Sequence, residues 1–245
     1  MSPEIFQKTL LDNYQIRLTV TQLAQFEAYF KLLVARNEQV NLTSITDEAG
    51  VYLKHFYDSI TPYLYFPEVF NANTQATICD VGAGAGFPSI PLKILCPGLN
   101  VTIIDSLNKR ISFLDELTKL LELRDVDLVH GRAEDFAKPK QPMRGAFDIV
   151  LSRAVAQLPV LAEFCLPYTK LDGYFLALKG QKGPQELENS RYAIATLGGK
   201  VVAEKAFSLP DTTEQRDLIL IQKKKETPKV YPRKAGTPVK KPLIK

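Results

Sequence analysis

The sequence predicts an α/β protein with a doubly wound parallel sheet, and three observations predict this fold class. An apolar run that begins at Ala76 ends in Asp80 and opens into three alternating glycines before a helix-like stretch. A strand, a glycine turn and a helix in this order form the ligand-binding corner of doubly wound sheets. A second apolar run over 100–105 ends in Asp105, and residues 107–121 follow with apolar side chains at helical spacing. This alternation predicts a Rossmann-like sheet.

Helical segments precede the first strand. Residues 2–12 and 19–36 are amphipathic by their spacing, and Asp47 is placed to cap a third helix over 48–60. A minimal Rossmann-like sheet does not need these helices. We therefore expect an N-terminal helical cap over residues 1–60.

Residues 61–222 are expected to form the sheet domain. Strand and helix alternate as far as about residue 179, and two further strands follow a last helix without a helix between them. An antiparallel strand inserted near the sheet edge explains this ending and brings the expected number of strands to seven. The strands are expected near 76–79, 100–105, 126–130, 147–152, 176–179, 201–207 and 217–223, with a helix over 183–198.

The glycine loop predicts a nucleotide-bearing cofactor. Gly82 and Gly84 allow a tight turn and a close approach of the ligand to the backbone. Phe87 stands where a dinucleotide fingerprint has its third glycine, and Asp80 would place a negative charge near a pyrophosphate. A cationic ligand such as S-adenosylmethionine suits this corner better. Asp105 is placed to accept hydrogen bonds from ribose hydroxyls, or else to cap the helix that follows.

The loop after the third strand is expected to pass the adenine. Its sequence, GRAEDF over 131–136, puts Ala133 and Glu134 at the strand end. Glu134 or Asp135 would accept a hydrogen bond from the exocyclic amine. Taken alone, a residue such as Glu134 is more often a solvated loop acid than an adenine ligand.

Composition limits the class of protein. The chain has 245 residues, of which 45% are hydrophobic and 24% charged, a typical globular composition. No apolar run approaches the roughly 20 residues of a bilayer span, and the N-terminus does not resemble a signal peptide. Cys79, Cys96 and Cys165 lie in apolar segments, which favours buried thiols in a reduced cytoplasm. His55 and His130 lie far apart, so we expect no metal site, and a monomer is the default expectation.

The charge is distributed unevenly. Residues 223–245 carry nine Lys and Arg and one acid, whereas residues 1–222 carry 22 basic and 26 acidic residues. Four prolines predict an extended rather than helical tail. A basic arm of this kind suits a phosphate backbone, with Arg233 and Lys234 as contacts, although a solubilising tail is the alternative. We expect removal of this tail to weaken RNA binding and to leave cofactor affinity unchanged.

Several motifs together resemble those of one family. The motifs are NEQVNLTSI (37–45), YLKHFYDSI (52–60), DVGAGAGFPSIPLKI (80–94), VTIIDSLNKRISFL (101–114), FDIVLSRAVAQL (147–158) and YPRKAGTPVKKPL (231–243). With them the chain resembles the RsmG (GidB) family of bacterial methyltransferases, which modify guanine N7 in 16S ribosomal RNA. The resemblance implies S-adenosylmethionine as cofactor, 16S ribosomal RNA or the small ribosomal subunit as partner, and the seven-stranded methyltransferase sheet as fold.

The implied reaction needs no general base, because guanine N7 carries an in-plane lone pair. We expect Arg153, at the end of the fourth strand, to position substrate or cofactor, with a structural salt bridge as the alternative. Lys54 and His55 are expected to face RNA, with Asp58 orienting His55, unless this segment only packs on the sheet. Lys179 is expected to contact phosphate.

Two other functions remain open. A small-molecule methyltransferase of the same fold would lack a reason for the basic tail. An NAD(P)-binding protein is disfavoured by Asp80 and Phe87.

Overall fold

The computed structural model describes residues 1–70 and 75–245 and contains one seven-stranded sheet. The strands are β1 (Thr77–Val81), β2 (Asn100–Asp105), β3 (Val126–His130), β4 (Phe147–Arg153), β5 (Thr169–Gly180), β6 (Gly199–Ser208) and β7 (Gln215–Lys223). Their order is β3-β2-β1-β4-β5-β7-β6, and β7 runs antiparallel to both β5 and β6. The predicted fold class is confirmed, including the antiparallel ending.

Helices cover both faces of the sheet. One buried apolar cluster joins the N-terminal helices, α6 and α7 to one face, and a second joins α9 and α10 to the other. The helices are α1 (Pro3–Tyr14), α2 (Val20–Val40), α3 (Glu48–Gly50), α4 (Asp58–Tyr65), α5 (Pro67–Phe70), α6 (Ser89–Leu95), α7 (Asn108–Leu120), α8 (Ala133–Phe136), α9 (Leu158–Cys165), α10 (Gly183–Thr196) and α11 (Thr237–Lys240), with a π-helical segment at Val51–Tyr57.

The cap helices begin where the sequence supplies capping side chains. At the start of α2, the N–H of Gln22 donates to Thr19 Oγ1 and the N–H of Thr19 donates to Gln22 Oε1, a capping box. Asp47 caps α3 by accepting from the N–H of Gly50 at 2.8 Å, as predicted. From α2, the hydroxyl of Tyr29 donates to the carbonyl of Ala85 at 2.5 Å. The cap thereby holds the glycine loop.

The third predicted helix differs from expectation. Instead of one helix over 48–60, α3 passes into the π-helical segment, and α4 continues through residue 60 to Tyr65. Pro62 explains part of the irregularity, because it has no N–H and its ring excludes a regular bond to the carbonyl of Asp58. That carbonyl accepts from the Thr61 hydroxyl instead, at 2.7 Å.

The basic tail is not a free arm. The prediction that it lacks a helix is wrong at α11, where Gly236 with a φ of 82° precedes the helix and Pro238 lies in its first turn. Tyr231 and Leu243 pack against the apolar cluster that contains α9. Lys223, the first residue of the predicted tail, is the buried last residue of β7.

The sheet topology brings three loops together. β1 pairs with β2 through Val81 and Ile104, and with β4 through Asp80 and Leu151. The strand order reverses between β1 and β4, which is where doubly wound sheets bind ligands. The glycine loop, the end of β2 and the segment after Arg153 therefore share one edge of the sheet.

Candidate functional site

The glycine loop adopts backbone angles that require glycine. The φ angles of Gly82, Gly84 and Gly86 are 80°, 61° and 102°, in the left-handed region that other residues avoid. A Cβ built on Gly82 would lie 2.5 Å from Cγ2 of Val155, whereas one built on Gly84 would meet no described heavy atom within 4 Å. The backbone at Gly84 is thus open to a ligand.

A cavity of about 570 Å³ lies beside this loop. We call it the glycine-loop cavity. Its wall includes three of the predicted cofactor residues, Gly82, Ala133 and Glu134, and Val155 lies opposite them on the loop after β4. The described wall also contains Val81, Ile104, Ser106, Gly131, Arg132, Ala156, Gln157, Val160, Phe164, Val239 and Pro242.

Glu134 is not the solvated loop acid of the alternative interpretation. It is 2% exposed, and its Oε1 accepts a hydrogen bond from the N–H of Gly236 at 2.8 Å. Its Oε2 lies 3.8 Å from Nε of Arg132. The carboxylate is therefore held between the cavity and the C-terminal segment.

Asp105 holds the loop from the neighbouring strand. Its carboxylate accepts from the N–H of Gly84 at 3.1 Å and from the N–H of Leu107 at 2.9 Å, and Arg110 lies 3.4 Å away. Because Leu107 directly precedes α7, this second bond resembles the helix cap of the alternative interpretation. The Asp105 carboxylate is buried and already accepts two backbone hydrogen bonds, and its contact with ribose stays a prediction.

Phe87, like Gly84 and Asp105, is not part of the described wall of the glycine-loop cavity, and its cofactor contact stays a prediction. Its buried ring stacks on Tyr29 and on His55, with centroids 5.4 Å and 4.4 Å apart and interplanar angles of 13°. The guanidinium carbon of Arg153 lies 5.1 Å from the same ring centroid. Phe87 supports the side chains of the neighbouring cavity.

That neighbouring cavity has a volume of about 620 Å³ and a charged lining. We call it the charged cavity. Four of the predicted substrate residues line it together, namely Lys54, His55, Arg153 and Lys179. The structure brings these four side chains to one cavity, and their contacts with substrate stay predictions.

Asp58 organises the charged cavity differently from the prediction. Its Oδ2 accepts from Arg153 at 3.3 Å and from Arg216 at 3.0 Å, and it does not orient His55. Glu214 joins the network through Lys54 at 2.5 Å and Arg216 at 3.1 Å. The buried Asp58 carboxylate thus binds the guanidinium groups of Arg153 and Arg216.

Arg216 and Glu214 are site residues that sequence reasoning missed. They lie where β7 begins, and Arg216 pairs in register with Gly180 at the end of β5. Because β7 is antiparallel, its first residues reach the edge at which the parallel strands end. The predicted antiparallel ending was the signal that would have found them.

His55 is neutral. Burial and the charge of Arg153 lower its pKa to about 3. Nδ1 lies 3.3 Å from Arg153, which can only donate, so the proton is on Nε2 and is donated to Thr43 Oγ1 at 2.7 Å. His55 offers RNA no positive charge, and its RNA contact stays a prediction.

Arg153 is held on several sides. Besides Asp58 and His55, it donates to the carbonyl of Lys54 at 3.1 Å, and its side chain is 13% exposed. The salt bridge of the alternative interpretation is present, so Arg153 is not a free strand-end side chain. The next residue, Ala154, has a φ of 57°, which turns the chain sharply.

This turn places the segment 153–156 between the two cavities. Arg153 and Ala154 line the charged cavity, whereas Val155 and Ala156 line the glycine-loop cavity. Two ligands, one in each cavity, would therefore lie next to each other at this segment.

Two of the predicted phosphate contacts have protein partners. Lys179 pairs with Glu186 at 2.7 Å and donates to the carbonyl of Ala156 at 2.9 Å. Arg233 forms a bidentate pair with the fully buried Glu163, at distances down to 2.6 Å. Lys234 is exposed. Contact with phosphate at these positions stays a prediction, with carboxylates competing for Lys179 and Arg233.

Asp80 is an unusual buried acid. Its Oδ2 accepts from the N–H of Ser89 at 3.1 Å, and its Oδ1 has no hydrogen-bond partner within residues 1–70 and 75–245. Burial raises its pKa to about 7. This carboxyl lies fully buried just before the glycine loop.

Comparison with known proteins then gives the family. A family model described as rRNA small subunit methyltransferase G (GidB) matches residues 22–219. The chain belongs to this family. The resemblance inferred from the sequence motifs is confirmed. The matched range includes β1 to β6, the first five residues of β7 and the described walls of both cavities except Val239 and Pro242.

Relatives extend the GidB match over the whole chain. A Pediococcus pentosaceus protein named ribosomal RNA small subunit methyltransferase G is 56% identical over 246 residues, covering all of both chains. A Staphylococcus aureus protein of the same name is 55% identical over 234 residues, which is 96% of this chain and 95% of that protein.

Solved structures share the fold. TrmN from Thermus thermophilus superposes with a TM-score of 0.51 at 14% identity, over 70% of this chain and 53% of that one. A candidate sarcosine dimethylglycine methyltransferase from Galdieria sulphuraria gives 0.53 at 11% identity, over 68% and 84%. Identities this low support the fold alone.

Two further features of the described residues concern membrane and metal-binding proteins. Within them, no helix has the length and apolar character to cross a bilayer. The same residues contain no cluster of three or more His, Cys, Asp and Glu side chains with the geometry of a metal site.

Proposed function

We propose that this GidB family member transfers a methyl group from S-adenosylmethionine to N7 of a guanine in 16S ribosomal RNA. One observation carries the proposal: two cavities, one beside a glycine loop and one charged, adjoin at segment 153–156. Methyl transfer needs a donor and an acceptor in line across a short distance. The relatives' name supplies the RNA class, and the guanine N7 target rests on the family resemblance.

The glycine-loop cavity fits S-adenosylmethionine. The open backbone at Gly84 admits the methionine part, and the unpaired oxygen of Asp80 favours a cationic group nearby. Asp105 would take the ribose, while Ala133 and Glu134 would hold the adenine. The cofactor, when bound, supplies a methyl group on a positively charged sulfur.

The charged cavity suits a guanine that becomes cationic. The basic residues of the described wall are Lys54, Arg153, Lys179, Lys182 and Arg216, and the acidic ones are Asp58, Glu186 and Glu214, which leaves a net charge of +2. This small positive excess attracts a nucleotide without strongly opposing the positive charge that develops on methylation. We propose that Arg153 positions the base from the side, because a guanidinium directly behind N7 would oppose the product.

No proton has to leave guanine N7, which agrees with the neutral His55. Its Nδ1 is occupied by Arg153 and its Nε2 proton by Thr43. His55 is therefore proposed to fix Arg153 and not to act as a base. We also propose that the reaction takes place in the cytoplasm, because the proposed substrate is ribosomal RNA, and that the enzyme is a monomer.

The test uses 16S ribosomal RNA and small subunits from a strain that lacks this gene. Purified protein and methyl-labelled S-adenosylmethionine are added, and nucleosides are analysed by mass spectrometry. We expect 7-methylguanosine at a single position. A parallel reaction contains the small molecules of a cell extract in place of RNA. Label in these small molecules, together with unlabelled RNA in the first reaction, would favour the small-molecule methyltransferase and contradict the proposal.

A further inference from the structure

The chain after β7 runs from the amino ends of the parallel strands to their carboxyl ends. We call residues 224–245 the C-terminal strap. It is first fastened near the start of β4, where Arg144 donates to the carbonyls of Thr227 at 2.6 Å and Tyr231 at 2.8 Å. The start of β4 lies at the edge opposite the two cavities.

The second fastening is an ion pair on α9. The N–H of Arg233 donates to Glu163 Oε1 at 2.8 Å, and its guanidinium donates to both carboxylate oxygens. Glu163 is fully buried, so this carboxylate depends on the strap for its charge partner. Arg233 is accordingly committed to the protein itself.

Beyond this ion pair the strap reaches the glycine-loop cavity. The N–H of Gly236 donates to Glu134 at 2.8 Å, and Val239 and Pro242 form part of the cavity wall. The side chain of Val239 is 58% exposed. The cavity thus has an inner wall of strand ends and an outer wall supplied by the strap.

We propose that the C-terminal strap is part of the cofactor site and positions the adenine. Gly236 holds Oε1 of Glu134, and Oε2, which has only the longer contact to Arg132 at 3.8 Å, would accept from the adenine amine, while Val239 and Pro242 would cover the ring. This inference rests on the proposed function, because it takes the cavity to be the S-adenosylmethionine site. It replaces the expectation that removing the tail leaves cofactor affinity unchanged.

The proposal makes strap order and cofactor binding reciprocal. A ligand that binds only when the strap is seated must stabilise the seated strap by the same factor. A variant that loosens the strap therefore lowers cofactor affinity, and bound cofactor stabilises the seated strap. An RNA-binding tail that is independent of the cavity would show neither effect.

The experiment measures S-adenosylhomocysteine binding by calorimetry on the full chain and its variants. Arg233→Ala cuts the second fastening, and Lys229→Ala is the matched control, since it removes the same charge from an exposed strap residue. We expect a loss of affinity of roughly tenfold or more for Arg233→Ala and less than about twofold for Lys229→Ala. Val239→Asp changes an exposed wall residue and serves if Arg233→Ala fails to fold; it should also weaken binding by about tenfold.

Hydrogen–deuterium exchange on the wild-type protein gives a second readout. S-adenosylhomocysteine should slow exchange in the peptide covering 233–241. If the wild type does not bind S-adenosylhomocysteine, the proposed function and the strap inference both fail. If it binds, but Arg233→Ala and Val239→Asp bind equally well and the peptide exchanges unchanged, only the strap inference is overturned.

Discussion

Gly84→Ala tests whether the cofactor approaches the glycine loop, and the chain contains a matched control. Gly84 and Gly145 have φ angles of 61° and 62°, and a Cβ at either would meet no described heavy atom within 4 Å. Gly84 lies at the carboxyl edge of the sheet, whereas Gly145 precedes β4 at the opposite edge. The two substitutions therefore share their backbone strain and differ in their neighbourhood.

The expected cost to folding is the same for both variants. Alanine in the left-handed region costs roughly 1–2 kcal/mol, and the lower entropy of the unfolded chain returns about 0.4–1 kcal/mol. The net loss is at most about 1.5 kcal/mol, which corresponds to a decrease in Tm of up to roughly 6 °C for a chain of this size.

Cofactor affinity should separate them. A methyl group forced into a close contact typically costs about 1–3 kcal/mol, which corresponds to roughly 5- to 150-fold in Kd. We expect this loss in S-adenosylhomocysteine affinity for Gly84→Ala and no change for Gly145→Ala, measured by calorimetry beside thermal unfolding. Equal affinities in two variants with equal Tm would refute the placement of the cofactor against Gly84.

Three further predictions concern the charges. Arg153→Ala should lower methyl transfer by about 100-fold or more and, because its hydrogen bonds are buried, also lower Tm by a few degrees; Arg153→Lys should rescue little, and wild-type turnover in either would leave Arg153 a structural role. Asp80 keeps its proton in the folded state up to a pKa of about 7 but releases it near 3.8 when unfolded, so the free energy of unfolding decreases as the pH rises from 4 to 7. Asp80→Asn should therefore reduce the decrease in Tm over this pH range. The same decrease in Tm in the variant as in the wild type would contradict the raised pKa of Asp80. Replacing Lys234, Lys240 and Lys241 by Ala should reduce the slope of log K for RNA against log salt by roughly 2–3, whereas an unchanged slope would show that these lysines do not contact phosphate.

Local patterns in the sequence determined most of the fold. The apolar runs ending in Asp80 and Asp105 became β1 and β2, and residues 107–121 became α7 with one residue fewer at each end. These elements are readable because burial and periodicity act over neighbouring residues. The glycine loop was readable because its backbone angles exclude other residues. The family followed from motifs spread along the whole chain.

The tertiary structure decided which side chains are already engaged. The sequence places Arg233 in a basic tail, but only the fold brings it to Glu163, 70 residues away. The same holds for Glu134 and Gly236, 102 residues apart, and for Asp58 and Arg216, 158 apart. Hydrogen bonding and desolvation depend on such long-range contacts, which leave no periodic signal in the sequence. Local patterns therefore indicated several residues that line the two cavities, while long-range packing determined which charges remain available to a ligand.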